Sequence, residues 1–455
     1  MIFLPELILL GLALLILTYD FVKIIPSRRL LVAVTLGGLA LSFLSVFLPF
    51  LTESASAGSF LSNMYLVDSF SIIFKTLFLL VGLLVVVLNY DFFASAVKKH
   101  EGEFYFLLLT SLLGLILMVS SPNLLMIYLG METVSFTSYL LVGWQKSVQR
   151  SSEASLKYFL FGALASAIFL YGVSFFYGLN GTLDLSRVAA MNIVSPAGFL
   201  SILLILFGFG FKIAMAPMQF WCPDVYEGAP TPITAYLSVA PKAAGFAVIL
   251  RLLTLLNIDL VTLLALLSAV TMTIGNLAAL RQRNIKRLLA YSSIAQAGYI
   301  LIGLVSPELG YSAVIFYLIV YTLANLGAFA AVIYLAEKLG SEDIESYSGF
   351  ARRSPVMAFA FAVFFLSLIG IPPLAGFIGK FLLFKAAVGA GFLWLAIVGV
   401  VNSVVSVYYY MNVMQIMYFR NGDESAVKIP AFISLAIWVC LAGVVALGVF
   451  PNILF

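Results

Sequence analysis

Apolar stretches long enough to cross a lipid bilayer recur along this sequence from one end to the other. Most have roughly 18 to 25 residues, the length an α-helix needs to cross a hydrocarbon core of about 30 Å. Only 10% of the residues are charged, whereas soluble domains carry about 25%. We therefore predict an all-α polytopic membrane protein with about fourteen transmembrane helices and no soluble domain. The predicted spans are 2–22, 30–50, 66–90, 104–121, 123–143, 155–178, 197–220, 231–253, 260–280, 287–305, 311–336, 354–386, 392–418 and 430–452.

The lysines and arginines indicate how these spans are oriented. Of the 24 in the sequence, sixteen fall in alternate loops, and the intervening loops hold only Arg187 and Arg251. Cytoplasmic loops are enriched in these residues, so we place both termini on the periplasmic side of a bacterial inner membrane. The first span lacks the basic region and cleavage site of a secretory signal, and we expect it to be retained. The sixteen are Lys23, Arg28, Arg29, Lys98, Lys99, Lys146, Arg150, Arg281, Arg283, Lys286, Arg287, Lys338, Arg352, Arg353, Arg420 and Lys428.

Six lysines remain inside apolar segments, where a buried charge costs several kcal/mol. They are Lys75, Lys157, Lys212, Lys242, Lys380 and Lys385. Lys212 and Lys242 lie about midway along their spans, too far from either end for their stems to reach water. For Lys75 and Lys385 we expect such snorkelling, because no helix-breaking feature surrounds them. For Lys157 and Lys380 the expectation of snorkelling is intermediate between those for the other two pairs.

Glu132 is the one acidic residue predicted to lie deep in a span. It stands near the middle of LLMIYLGMETVSFTSYLLVGW, where a lone carboxylate would cost about 2.5 to 3.5 kcal/mol. A structural hydrogen bond or a neutral acid is one interpretation, and pairing with a buried lysine is the other. A nearby carboxylate favours the charged form of a lysine, so a change in their separation lets the lysine gain or lose a proton.

The groups that other membrane chemistries require are absent from the predicted spans. The one histidine, His100, lies in a predicted loop, and Cys222 and Cys440 have different neighbours. We therefore predict no haem, iron–sulfur or zinc site. The sequence contains no Walker A motif and no dinucleotide glycine fingerprint. Its net charge of +4 reflects the lysines and arginines of the predicted cytoplasmic loops and does not indicate binding of nucleic acid. The pattern favours movement of a small ion along the lysines and Glu132, with no cofactor or metal in this chain.

Two predicted spans are interrupted by helix-breaking residues next to a lysine. In the seventh, FGFGFKIAMAPMQFW, Pro217 follows Lys212; in the twelfth, FFLSLIGIPPLAGFIGKFLLFK, Pro372 and Pro373 precede Lys380. Paired broken helices are typical of transporters built from repeats, although proline and glycine also permit close helix packing. Each repeat would contain five helices. Because five is odd, the second repeat would enter the membrane from the side opposite to the first, so the two repeats would be inverted. The predicted boundaries are 1–103 for an N-terminal three-helix segment, 104–253 and 260–418 for the repeats, and 419–455 for a C-terminal helix.

Four stretches carry a more specific pattern: FKIAMAPMQFW, PDVYEGAPTPITAYLSVAPKAAGF, RLLAYSSIAQAGYILIG and GIPPLAGFIGKF. They resemble the antiporter-like subunit N of bacterial respiratory complex I, which is equivalent to subunit 2 of the plastid and mitochondrial enzymes. The similarity runs from about residue 104 to 420, and PDVYEGAP distinguishes subunit N from its paralogues L and M. The resemblance implies a proton-translocating subunit, with NADH, flavin mononucleotide, iron–sulfur clusters and quinone held by other subunits. It also implies the lipid bilayer, antiporter-like subunit M and the small subunits J and K as neighbours.

The resemblance further assigns roles to the five residues that the sequence singles out. Glu132 and Lys212 would form an ion pair between the fifth and seventh helices. Lys157 would link that pair to Lys242 on the eighth helix, and Lys380 on the twelfth would serve the outward half-channel.

Two points limit what the resemblance carries over. Many relatives have a histidine where this chain has Gln219, and an amide cannot titrate near neutral pH. An entry route that depends on that histidine is therefore not expected here. Two alternatives also remain: a cation/proton antiporter or a ferredoxin- or hydrogenase-linked relative, and an assembly scaffold whose charges fix helix packing.

Overall fold

The structure is a computed structural model that describes residues 3–22, 28–48, 58–95, 100–188, 195–256, 260–422 and 428–453. Helices dominate these ranges, and a hairpin of two short antiparallel strands, β1 (Gly58–Phe60) and β2 (Tyr65–Val67), is a local departure from the predicted all-α fold. The helices are α1 (Leu4–Val22), α2 (Arg28–Ser45), α3 (Ser69–Ser95), α4 (Glu101–Val119), α5 (Leu124–Val142), α6 (Gln149–Asn180), α7 (Pro196–Ile213), α8 (Trp221–Gly228), α9 (Thr231–Leu256), α10 (Val261–Ala279), α11 (Ile285–Gly303), α12 (Pro307–Leu339), α13 (Phe350–Arg353), α14 (Pro355–Ile369), α15 (Ala375–Gly389), α16 (Leu393–Phe419) and α17 (Ala431–Val449).

Twelve of the described helices are long and apolar enough to cross a membrane, so the chain is a multi-pass membrane protein. The predicted count of fourteen is not confirmed, because α11, α14 and α15 fall outside those twelve. Lys23, Lys98 and Lys99, which contribute to the predicted orientation, lie outside the described residues.

Both predicted helix breaks are present. An irregular segment with a cis Ala216–Pro217 bond separates α7 from α8, and one with a cis Pro372–Pro373 bond separates α14 from α15. Lys212 lies one residue before the end of α7, whereas Lys380 lies inside α15. The interruptions are therefore confirmed, but the two lysines lie on opposite sides of their breaks.

Matching helix ends support the predicted repetition. The side chains of Asn123 and Asn284 cap the first residues of α5 and α11 by accepting hydrogen bonds from backbone N–H groups. A backbone bridge joins Asn123 to Asp184, and a second joins Asn284 to Asp343. In addition, α6 and α12 both end before a glycine in the left-handed conformation, which glycine adopts without steric cost. The repeat boundaries and their inverted orientation stay predictions.

The described residues form two compact units. The first contains those of 1–212 and 240–258, and the second contains those of 213–239 and 259–455. The units differ from the predicted repeats because the division follows the break after α7 and then passes through α9, just before Pro241.

Glycines permit close helix contacts inside each unit. A Cβ added at Gly114 of α4 would lie 2.9 Å from the carbonyl oxygen of Gly130 on α5. In the second unit, a Cβ at Gly275 of α10 would lie 2.5 Å from the backbone nitrogen of Ala295 on α11. Small residues at membrane helix crossings permit this close backbone approach.

We expect Gly114→Val to lower the free energy of unfolding by about 1–3 kcal/mol, because the added methyl groups must force α4 away from α5. Gly178→Val is the matched control, since a Cβ at Gly178 of α6 meets nothing within 4 Å. Unfolding of the purified chain in detergent measures both variants. Equal destabilisation by the two substitutions would show that the crossing is not tightly packed.

Candidate functional site

Glu132 and Lys212 belong to the first unit and are connected to its helices by serine hydroxyls. The half-buried Glu132 carboxylate of α5 accepts a hydrogen bond from the Ser166 hydroxyl of α6. One turn further along α5, the Ser135 hydroxyl accepts a hydrogen bond from Lys212 Nζ at 2.6 Å. Lys212 is 4% exposed and interacts electrostatically with Glu132. Within the described residues, its hydrogen bond therefore goes to Ser135 and not to the carboxylate itself.

The break after α7 explains how the chain accommodates the Lys212 ammonium. Lys212 lies in the last turn of α7, where carbonyl groups lack intrahelical partners and carry the negative end of the helix dipole. A cation is favoured at this end. Ending the helix at the lysine therefore offsets part of the cost of burying its charge.

Lys242 and Lys157 differ in their surroundings, although both belong to the first unit. Lys242 follows Pro241 inside α9 and is 2% exposed. The side chain of Lys157 on α6 is 40% exposed and pairs with Glu153, one turn earlier, at 2.7 Å. Lys157 is therefore only partly buried, and its ion-pair partner Glu153 is not a member of the predicted relay.

Lys380 lies in the second unit and is bound to neutral acceptors. Its ammonium donates to the Ile369 carbonyl at 2.9 Å and to the Ser403 hydroxyl at 3.3 Å. The same nitrogen lies 4.1 Å from the centre of the Tyr299 ring, within reach of a cation–π interaction. Ile369 is the last residue of α14, so Lys380 also meets the negative end of a helix. A cavity of about 310 Å³, lined mainly by apolar side chains, adjoins it.

A buried polar network extends from Lys380 into the second unit. The Ser403 hydroxyl donates to the Tyr299 hydroxyl at 3.2 Å, which accepts from the Asn276 amide at 3.4 Å. Asn276 also donates to Asn402 at 3.1 Å and accepts from Tyr409 at 3.0 Å. Hydroxyl and amide groups can each donate and accept, so the network offers several ways to relay or reorient a hydrogen bond.

Gln219 belongs to the irregular segment between α7 and α8. Its side chain is buried, and its Oε1 has no hydrogen-bond partner among the described residues. The Gln219 amide therefore presents an unpaired acceptor inside the second unit, among the described residues.

One buried ion pair contradicts the expectation from the sequence. Lys75 was expected to snorkel, but it is 2% exposed and its ammonium lies 2.8 Å from the Glu6 carboxylate. The Tyr65 hydroxyl of β2 accepts a hydrogen bond from Lys75 at 2.6 Å and donates one to Glu6. The prediction failed because Glu6, in the first turn of α1, appears in the sequence as an exposed helix-end acid. Lys385 is exposed, and its snorkelling stays a prediction.

Several cations that were predicted to lie in loops are helical residues, and Arg251, Lys286 and Arg287 among them pair with distant acids. Arg251 is inside α9, 6% exposed, and contacts both carboxylate oxygens of Asp68 at 3.1 Å. Lys286 and Arg287 lie in the first turn of α11 and contact acidic residues. Their burial and pairing were not predicted because the acidic partners are distant in the sequence. The one histidine, His100, lies with Asp20 and Glu103 in an exposed group whose potential ligand atoms are within 4.8 Å of one another.

Comparisons with known proteins agree with this architecture. Residues 121–406 match the family of NADH:quinone oxidoreductase and Mrp antiporter transmembrane proteins. A protein named NADH-quinone oxidoreductase subunit N 2, from Chloroherpeton thalassium, is 43% identical over 93% of this chain and 86% of its own length. A chain of respiratory complex I from Thermus thermophilus, solved with bound aureothin, is 37% identical with a TM-score of 0.86, covering 98% of this chain and 97% of that one.

A chain of the Mrp complex from Dietzia sp. is 21% identical, with a TM-score of 0.90 over 99% of this chain and 95% of that one, and so shares the fold. The subunit N relative and the complex I chain are more similar in sequence and cover nearly the same length. This chain belongs to the family of NADH:quinone oxidoreductase and Mrp antiporter transmembrane proteins.

Proposed function

We propose that this chain is a proton-translocating membrane-arm subunit of a respiratory NADH:quinone oxidoreductase. The observation that carries the proposal is a buried lysine at each of two broken helices, with the first lysine bound to a serine one helical turn from the Glu132 carboxylate. The name of the Chloroherpeton relative supports the choice of enzyme. In this assignment NADH, flavin mononucleotide, iron–sulfur clusters and quinone belong to other subunits, and this chain is a non-redox part of the translocase.

Glu132 and Lys212 form the switch of the proposed mechanism. Two unit charges about 4 Å apart interact by roughly 4 kcal/mol at an effective dielectric of 20, which corresponds to about a thousandfold change in proton affinity. Moving Glu132 toward Lys212 holds the lysine charged, and moving it away releases the proton. Ser135 supports this role because its hydroxyl holds the ammonium near the carboxylate without a direct ion pair.

The other three lysines extend the proposed route. Lys242 receives the proton from Lys212, with Lys157 as the link, and Lys380 delivers it to the outward half-channel. The partial exposure of Lys157 and its pairing with Glu153 make it the least constrained member of the route. The neutral acceptors around Lys380 suit a terminal site, because they stabilise an ammonium without a fixed counter-charge. The unpaired oxygen of Gln219 could accept a hydrogen bond from water but cannot itself titrate.

The proposed setting is a bacterial inner membrane with both termini on the periplasmic side. The neighbours would be the antiporter-like subunit M and the small subunits J and K of the same membrane arm. Copurification tests this assignment, because the chain should be recovered with quinone-reductase subunits.

The Glu132→Gln variant tests the mechanism. We expect redox-driven proton uptake into proteoliposomes to fall about 100-fold, because the neutral amide cannot change the charge balance of Lys212. Glu103→Gln is the matched control, since the Glu103 side chain is 51% exposed and pairs with His100, which has no part in the proposed route. Normal pumping by assembled Glu132→Gln enzyme would refute the relay.

A subunit of a multisubunit cation/proton antiporter is the second candidate, favoured by the shared fold with the Mrp chain. It would copurify with antiporter subunits and exchange cations for protons without a redox donor. An assembly scaffold, the third possibility, would lose complex assembly in Glu132→Gln before any loss of pumping.

A further inference from the structure

The buried and paired cations at the start of α11 are not explained by the stability of that helix. Lys286 and Arg287 occupy its first turn, where the positive end of the helix dipole disfavours cations. Lys286 is moreover only 3% exposed. A position that is unfavourable for the helix and costly for the charge requires partners elsewhere in the fold.

Arg287 finds its partners on α8, the short helix after the first break. Its guanidinium contacts Asp224 at 2.7 Å and Glu227 at 3.0 Å. These two acids are three residues apart and therefore lie on the same face of α8. Glu227 is in the last turn of α8, where an acid is also disfavoured by the dipole. The planar guanidinium has donors enough to hold both carboxylates at once.

Lys286 binds the corner at which α8 passes into α9. Its ammonium donates to the Ala229 carbonyl at 2.8 Å and to Glu342 at 2.9 Å. Glu342 also accepts from the Asn284 amide, and Asn284 forms the backbone bridge to Asp343. The corner is therefore connected to the same Asn–Asp bridge that marks the second predicted repeat.

We infer that Lys286 and Arg287 form a clamp on α8 and act as positioning residues for proton transfer. The clamp holds one face of α8 through Arg287 and the end of α8 through Lys286. In the chain, α8 connects α7 to α9. Those two helices carry Lys212 and Lys242. The positioning role rests on the proposed function, whereas the clamp itself does not.

The two cysteines of the chain permit a direct test of the clamp. Cys222 lies on α8 and Cys440 on α17, and both are buried. In the assembled complex, we expect Arg287→Gln to raise the rate of maleimide labelling at Cys222 about tenfold or more while Cys440 stays unreactive, with Arg287→Lys intermediate because one ammonium replaces a forked donor. Peptide mass spectrometry identifies the labelled cysteine. Arg283→Gln, which removes an exposed arginine before α11, is the control and should leave both rates unchanged.

An unchanged rate at Cys222, or an equal increase at Cys222 and Cys440, would overturn the clamp. The positioning role has its own readout, the number of protons taken up per electron pair. We expect this ratio to fall in Arg287→Gln and to recover toward the parent value in Arg287→Lys. An unchanged ratio despite faster Cys222 labelling would overturn the positioning role and leave the clamp. If Glu132→Gln pumps normally, the proposed function fails, but the labelling result still decides the clamp.

Discussion

Replacing Lys380 with methionine is expected to reduce redox-driven proton uptake by the assembled enzyme about 100-fold, the scale of a lost proton-transfer group. Methionine preserves an unbranched apolar stem but cannot carry a proton or donate to the Ile369 carbonyl. The end of α14 would lose its cation, and the route proposed for the second unit would lose its titratable group. Proteoliposomes with a pH-sensitive dye measure the effect, normalised to the amount of assembled complex.

Lys385→Met is the matched control for this experiment. Both lysines lie on α15, but Lys385 is exposed whereas Lys380 is buried among polar acceptors. Lys385→Met should therefore pump at nearly the parent rate. Similar losses in both variants would mean that positive charge on α15, and not the Lys380 site, is what matters.

Breaking the buried Glu6–Lys75 pair is expected to produce the largest loss of stability. We expect Lys75→Met to lower the free energy of unfolding by about 3–5 kcal/mol, because it leaves the Glu6 carboxylate buried without its counter-charge. Only the Tyr65 hydroxyl would still donate to Glu6 in the described contacts. Denaturant unfolding of the purified chain in detergent measures the loss.

A double variant separates the ion pair from the packing around it. Glu6→Gln together with Lys75→Met removes both charges, so it should be less destabilised than Lys75→Met alone. Additive losses from the two single substitutions would contradict a coupled pair. Proton pumping per assembled complex should change little, because neither residue belongs to the proposed route.

Local sequence signals predicted the main features of the candidate site. Proline and glycine beside Lys212 and Lys380 identified both broken helices, because they act on the backbone within a few residues. Ser135 was also within reach of the sequence, since a residue three positions after Glu132 lies on the same helix face. The i to i+4 spacing of Glu153 and Lys157 likewise predicts the local ion pair that the structure contains.

Ion pairs between residues distant in the sequence could not be predicted from such local signals. Lys75 meets Glu6, and Arg251 meets Asp68, only after distant segments pack together. The hydropathy pattern specifies that a helix is apolar, but not which neighbour supplies a counter-charge. For this reason the sequence identified which residues are unusual in a membrane and misjudged several of their environments.

The proposed relay requires water or polar groups to connect its members between proton transfers. The most direct measurement is an experimental map of the assembled membrane arm at a resolution that shows ordered water. The account predicts a continuous hydrated and hydrogen-bonded path through Lys212, Lys242 and Lys380. Dry apolar packing that isolates these lysines from one another, in every state of the working enzyme, would contradict it.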